Sequence, residues 1–432
     1  MQRLPLSVVL WTSVLIALSA CASTVPHTRE DAKPVVVAAE KTGKPAPVAV
    51  APETPEPPAP AAATIAPIKV ETQTLEPLAA GKQPALPPGD EKPAPHIALL
   101  LPLKSADFGA AADAVQLGFL AAANLEITNP HPFSLPVRVY GSFDESKDIV
   151  TLYRRAIANG ARAVAGPLTR TGVGVLAAER DIPVPTLALN IADGQFAGQL
   201  YFFGMMVEEE ARRVAQLARQ QDLRAAVVVT TNSYLSTRLQ FAFEDEWLNL
   251  GGTLQQRIEF DGDTAVLAGI SETPGAMVFL AADADKARLI RPYLPAILPI
   301  YATSRIFLGN NDTLVNFDLD GIHFVDMPWL LQADHPAVMV YPRADRQLST
   351  DHERFYALGI DAFRLVQLML AGKVGDKLSL DGVSGDLWLN GQIFQRTAIP
   401  AIFTQGQAQF GNSRSVPAVP VFPDQAPAAS RE

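Results

Sequence analysis

Hydrophobic residues are distributed along this chain in three ways. Positions 6–18 form one unbroken apolar run, 22–95 show no helical or strand period, and from His96 onward short apolar runs alternate with longer amphipathic stretches. The runs at 97–101, 137–140, 161–165, 186–189, 225–229, 276–281, 300–302 and 322–325 read as strands. They are short and lack regular polar alternation, which suits parallel strands covered on both faces. Between them lie helical stretches. Asp107 is placed to cap a helix over 108–125, with Ala111, Val115 and Phe119 on one face. A second amphipathic helix is predicted over 351–370, carrying Phe355, Leu358, Phe363, Val366 and Leu370. Glu208 and Glu209 stand four residues before Arg212 and Arg213, the favourable order for helical ion pairs, and predict a solvated helix face. Alternating strands and helices imply right-handed crossovers and an α/β, doubly wound sheet. The 317 residues from 96 to 412 are too many for one such sheet and fit two.

The two remaining patterns describe what precedes this body. Arg3 followed by the 13-residue run LSVVLWTSVLIAL has the form of a secretory leader. Leu18-Ser19-Ala20 then places the single cysteine of the chain, Cys21, directly after small residues, as in a bacterial lipobox. This resemblance to lipoprotein signal peptides implies a leader over 1–20 and acylation of Cys21, with Ala22 rather than Asp next to it implying the outer membrane. Several acyl chains on one residue make a stable anchor, where one would be marginal. From 21 to 95 the chain reads as a tether. Residues 22–95 hold 16 of the 36 prolines and no Phe, Tyr or Trp, so they bury too little apolar area to offset the entropy of ordering. Residues 413–432 read as a flexible tail.

Composition narrows the function. Of 432 residues 48% are hydrophobic, with one cysteine and a net charge of −10, which argues against a disulfide framework, a cysteine-built zinc site and a nucleic-acid partner. No catalytic constellation stands out, so no enzyme, metal or cofactor is expected. The histidines (His27, His96, His131, His323, His335, His352) show no metal-ligand spacing, and no nucleophile elbow or P-loop occurs. Lys41-Thr42-Gly43 imitates a penicillin-binding-enzyme triplet without its Ser-x-x-Lys. Gly172-Val173-Gly174 is an incomplete dinucleotide fingerprint, and Asp318, Asp320 and Gly321 are too few for a calcium loop. Polar residues at the carboxyl ends of the strands could contact a small ligand in a cleft: Ser105, Thr169, Asn190, Thr231, Ser233, Tyr234 and Thr303. The competing role for them is helix capping. Asp283 and Arg305 are charged groups near strand ends that could hold an amino-acid ligand.

Several segments together resemble one family. IALLLPL at 97–103, VAGPLT at 164–169 and PVPTLALN at 183–190 resemble successive strand ends of type I periplasmic binding proteins. LPIYATSRIF at 298–307, DLDGIHFVDMPWLL at 318–331 and FYALGIDAFRL at 355–365 are similar to the LppC/LpoA-type penicillin-binding protein activators. The signature residues are Tyr301, Ser304, Arg305, Asp326, Pro328 and Trp329, the last either an exposed anchor or packed at the crossing between lobes. The resemblance implies a two-lobed type I periplasmic-binding-protein fold, with lobe one over 96–201 and 329–370, lobe two over 202–327 and 371–412, and three crossings. It further implies an outer-membrane lipoprotein facing the periplasm that touches a class A penicillin-binding protein and raises its peptidoglycan synthesis. Where the family carries an N-terminal helical-repeat domain, the tether is expected to stand in its place here. The alternative is a solute-binding lipoprotein that recognises an amino acid or a peptidoglycan fragment.

Overall fold

The structure, a computed structural model, describes residues 93–410 apart from 129–133, 193, 195, 197, 312, 376 and 377. The leader, Cys21, the tether and the tail lie outside the described residues. The first lobe begins with β1 (His96–Leu101), α1 (Gly109–Thr128), β2 (Val137–Gly141), α2 (Glu145–Ala158), β3 (Ala161–Ala165), α3 (Arg170–Ala177), β4 (Thr186–Ala188) and β5 (Leu200–Phe203). These strands lie parallel in the order β2-β1-β3-β4-β5. Every residue of β1 is buried, as expected of a central strand with helices on both faces.

Residues 204–206 cross to the second lobe. It contains α4 (Val207–Gln220), β6 (Ala225–Thr231), α5 (Tyr234–Asn249), β7 (Thr253–Phe260), β8 (Ala276–Ala281), α6 (Ala284–Ile290), β9 (Ile300–Ala302), α7 (Thr313–Asn316) and β10 (Ile322–Asp326). The order β7-β6-β8-β9-β10, again parallel, repeats the topology of the first lobe. The chain then returns at Met327 through α8 (Pro328–Leu331), α9 (Pro336–Met339) and α10 (Thr350–Leu370) to β11 (Ser379–Asp381), β12 (Asp386–Asn390) and β13 (Ile393–Thr397). A third crossing at Ala398 leads to β14 (Ile399–Thr404) and β15 (Gln407–Phe410). Two doubly wound sheets joined by three crossings form a type I periplasmic-binding-protein fold.

The strands after α10 correct the sequence-based partition. The segment 371–412, expected in lobe two, is divided between the lobes. Ile393 and Phe394 of β13 register against Phe202 and Phe203 of β5, so β11–β13 extend the first sheet. Only β14 and β15 extend the second, running antiparallel from β10. Lobe one also holds all of β5, past the expected boundary at 201.

α10 is the spine of lobe one and packs along α1. The two backbones meet at glycines: a Cβ on Gly118 would overlap the Tyr356 carbonyl, and one on Gly359 would overlap that of Val115. Phe119 and Phe363 then meet edge to face, with centroids 5.2 Å apart. Ser349 caps α10 by accepting a hydrogen bond from the His352 amide. We expect Gly359→Ala to destabilise the body by about 1–3 kcal/mol through overpacking. Gly174→Ala, on α3 with nothing within 4 Å of the added methyl, should instead stabilise it by up to about 1 kcal/mol. Urea denaturation of both variants checks the opposite signs.

Candidate functional site

Ligand sites on open α/β sheets lie beyond the carboxyl ends of the strands. In lobe one the loops after β1, β2 and β3 enclose a cavity of about 370 Å³, and Ser105 and Thr169 are on its wall with Phe108, Phe143 and Glu145. Ser105 and Thr169 are already engaged by the protein, as is Asn190, which lies outside the lining. Ser105 Oγ accepts from the Phe108 amide at 3.3 Å. Thr169 caps α3, its Oγ1 accepting from Gly172 N at 3.1 Å, while its own amide donates to Glu145 at 2.7 Å. Asn190 donates to the Leu168 carbonyl at 3.1 Å and accepts from Ile191 N at 2.9 Å.

The other predicted contacts belong to lobe two and do not line this cavity. Ser233 caps α5 through Ser236 N at 3.0 Å, and Ser236 Oγ accepts from Thr231 N at 2.8 Å. Thr231 Oγ1 donates to Ser233 Oγ at 3.4 Å. Tyr234 is 80% exposed and lies beneath the Arg238 guanidinium. Thr303 is fully buried, and its hydroxyl has no hydrogen-bond partner among the described residues. Asp283 caps α6 through Lys286 N at 2.9 Å, and Arg305 pairs with Asp351 at 3.0 Å. Among the described residues no group of three or more His, Cys, Asp or Glu is arranged to hold a metal ion.

The signature residues converge elsewhere, where the lobes join. Asp326, at the end of β10, is fully buried and receives a fork from Arg354 of α10, Nε at 3.1 Å and Nη2 at 2.6 Å. The same guanidinium donates to the Ser304 and Phe307 carbonyls, both at 3.0 Å, and to Asp351 at 2.6 Å. Ser304 N donates to Glu210 of α4 at 3.1 Å. Glu210 in turn accepts from Arg396 of β13 at 2.6 Å, and Arg396 also reaches the Ser384 carbonyl at 3.3 Å. Every link between Arg354 and lobe two, and that from Arg396 to Glu210, joins one lobe to the other beside a crossing. Burial pushes the Asp326 carboxyl up, opposed by Arg354. Burial alone would lower Arg354, but Asp326, Glu210 and Asp351 hold it above its ordinary value.

Tyr301 is packed in the core of lobe two and Trp329 in that of lobe one. Tyr301 is buried, stacks on His323 at 4.9 Å, and donates to Gln221 at 2.5 Å. Trp329 follows Pro328 in α8 and is fully buried. It donates to Glu353 at 2.6 Å, and the Arg343 guanidinium lies 3.7 Å from its ring centre.

Sequence reasoning missed Glu210, Arg354, Arg396 and Asp361. A signal existed for two of them, because Arg354 and Asp361 are charges on the otherwise apolar face of α10. Asp361 accepts from Val383 N, Ser384 N and Ser384 Oγ at 3.1, 2.8 and 2.6 Å, tying α10 to the turn before β12. The i,i+4 pairs expected on α4 are replaced. Glu209 pairs with Arg212 at 2.8 Å, while Glu208 turns to Arg238 because α5 packs on that side. Arg213 is partly buried, and its Nε has no hydrogen-bond partner among the described residues.

The sequence profile of the LppC lipoprotein family matches residues 89–273 and 271–398, nearly all of the folded body. The chain belongs to this family. A penicillin-binding protein activator LpoA from Photobacterium profundum is 25% identical over 350 residues, covering 72% of this chain and 56% of the relative. The LpoA of Haemophilus influenzae is 27% identical over 305 residues, covering 68% and 51%. This LppC-family chain thus spans about half the length of the curated relatives it matches. In structure, full-length Haemophilus influenzae LpoA shares the fold with a TM-score of 0.61 at 23% identity, covering 74% of this chain and 59% of that one. A Chromobacterium violaceum protein assigned to branched-chain amino acid ABC transport is 35% identical with a TM-score of 0.62, covering 72% of this chain and all of that one.

Removing the Arg354 guanidinium strands Asp326 as an unpaired buried charge, which costs about 3–5 kcal/mol. Arg305→Met, at the more exposed pair with Asp351, should cost no more than about 1 kcal/mol. Urea denaturation of Arg354→Met and Arg305→Met is expected to show this gap.

Proposed function

We propose that this chain is an outer-membrane lipoprotein, anchored through Cys21 and facing the periplasm, whose body binds a class A penicillin-binding protein and raises its peptidoglycan synthesis. It performs no catalytic step. The observation that carries this reading is the family match over nearly all of the described body, together with the activator function named for its relatives. Two features of the body support it. The polar groups at the strand ends mostly serve the protein's own loops, and buried ion pairs tie the lobes together, as suits a fixed surface for another protein. Activation then follows from binding the active state of the synthase more tightly. A difference of about 1–3 kcal/mol gives roughly a 5–150-fold change.

A second reading, a solute-binding lipoprotein, is favoured by the cavity in lobe one and by the likeness to the Chromobacterium violaceum protein. The two readings separate experimentally. Co-purification of the mature chain with a class A synthase, followed by a glycan-polymerisation assay, should show binding and a several-fold faster reaction. No binding and no stimulation would overturn the activator reading. A melting point raised by a free amino acid would favour the solute binder, since ligand at 100 times its Kd adds about 2.7 kcal/mol.

A further inference from the structure

The loop after β3 runs directly into α3, so the amides of Leu168 and Thr169 stand at the positive end of an eight-residue helix. They also lie at the carboxyl edge of the sheet, beside the cavity. Backbone donors in that position suit an anion. In this protein they are occupied. Glu145, the first residue of α2, crosses to them and places Oε1 at 3.1 Å from Leu168 N and Oε2 at 2.7 Å from Thr169 N. It is only 2% exposed, so this is a built contact and not a surface side chain at rest.

The neighbouring residues accommodate the crossing. Gly172 leaves the space that Glu145 fills: a Cβ there would stand 2.6 Å from Glu145 Cβ and 2.9 Å from Oε2. Gly172 N donates to Thr169 Oγ1, so a third donor of the same turn is also taken. The rest of the cavity wall reinforces the effect. Asp107 and Asp144 line it alongside Glu145, and none of the described lining residues is Lys or Arg, although Lys147 pairs with Asp144 at 2.7 Å and Lys104 lies 4.7 Å over the Phe143 ring. A carboxylate entering this space would find the Leu168, Thr169 and Gly172 amides taken and the Glu145 carboxylate already in front of them.

We propose that Glu145 is a resident carboxylate that takes the place of a ligand's, setting the specificity of the lobe-one cavity by excluding carboxylate-bearing solutes, free amino acids among them. It is a specificity-determining residue, and the cavity is self-occupied with respect to anions. The proposal goes beyond the activator reading and holds whatever protein the body binds.

Chemical rescue tests it. In the mature protein Glu145→Ala empties the carboxylate position, and acetate or propionate is the probe, with acetamide and matched sodium chloride as controls. The wild-type melting temperature should not respond to acetate beyond the salt control. Glu145→Ala should melt several degrees lower, and acetate, but not acetamide, should restore more than half of the loss in a saturable way. A Glu145→Ala protein that ignores acetate, or a wild type that responds equally, would overturn the proposal. If the variant does not fold, the amide resonances of Leu168 and Thr169 in the wild type decide. They should stay fixed as acetate or leucine is added, and a saturable movement would mean that a solute displaces Glu145. No synthase takes part, so this result and the fate of the activator reading are independent.

Discussion

The arrangement of the two lobes rests on one buried ion pair. Asp326 ends the last parallel strand of lobe two, and Arg354 stands in the second turn of the helix that forms the spine of lobe one. Asp326 is fully buried and Arg354 nearly so, and each is tolerable there because the other is present. Arg354 also satisfies two carbonyls of the loop after β9, so its geometry fixes the loop as well as the strand end. Arg396 and Glu210 repeat the device beside the other crossings. Apolar replacements of similar volume often match such pairs in stability. What they add here is geometry: the Arg354 fork holds the end of β10 and two carbonyls of the loop after β9 at once.

The cleft and the clamp are two parts of one design. Fold alone permits solute binding, since function depends on the site and not the scaffold. In this protein Thr169 and Ser233 cap α3 and α5, Asn190 props the Leu168 loop, and Glu145 fills the donors that a ligand would use. The lobes are then joined by charge pairs within the chain. The outcome is a body organised around its own hydrogen bonds.

The central architecture was legible in the sequence because its strands are apolar on both faces. The eight predicted runs coincide with β1, β2, β3, β4, β6, β8, β9 and β10. Most strands that went unread lie at or beyond the margins of the parallel sheets, while β5, inside the first sheet between β4 and β13, was missed as a run of only four residues. In β7 only Ile258 and Phe260 are buried while Arg257 and Glu259 face water, so no continuous apolar run marks it. β11–β13 are short and one-sided, and their place beside β5 depends on a pairing almost two hundred residues away in sequence. The site was harder for the same reason. Thr169 and Ser233 were visible as either caps or contacts, and in the structure both make the cap hydrogen bond. Glu145 reads in sequence as an ordinary acidic first-turn residue, and only the approach of the β3–α3 loop reveals what it holds. Arg354 and Asp361 could have been noticed as charges within an apolar helical face, but their partners lie 28 and 23 residues distant.

The central claim is that the body presents a fixed two-lobed surface and does not close on a solute. Spin labels at Arg162 of lobe one and Gln255 of lobe two, both exposed, measure it directly through the inter-lobe distance distribution. The account predicts one narrow distribution, unchanged when leucine or other free amino acids are added. A broad distribution that narrows or shifts with such a ligand would contradict it.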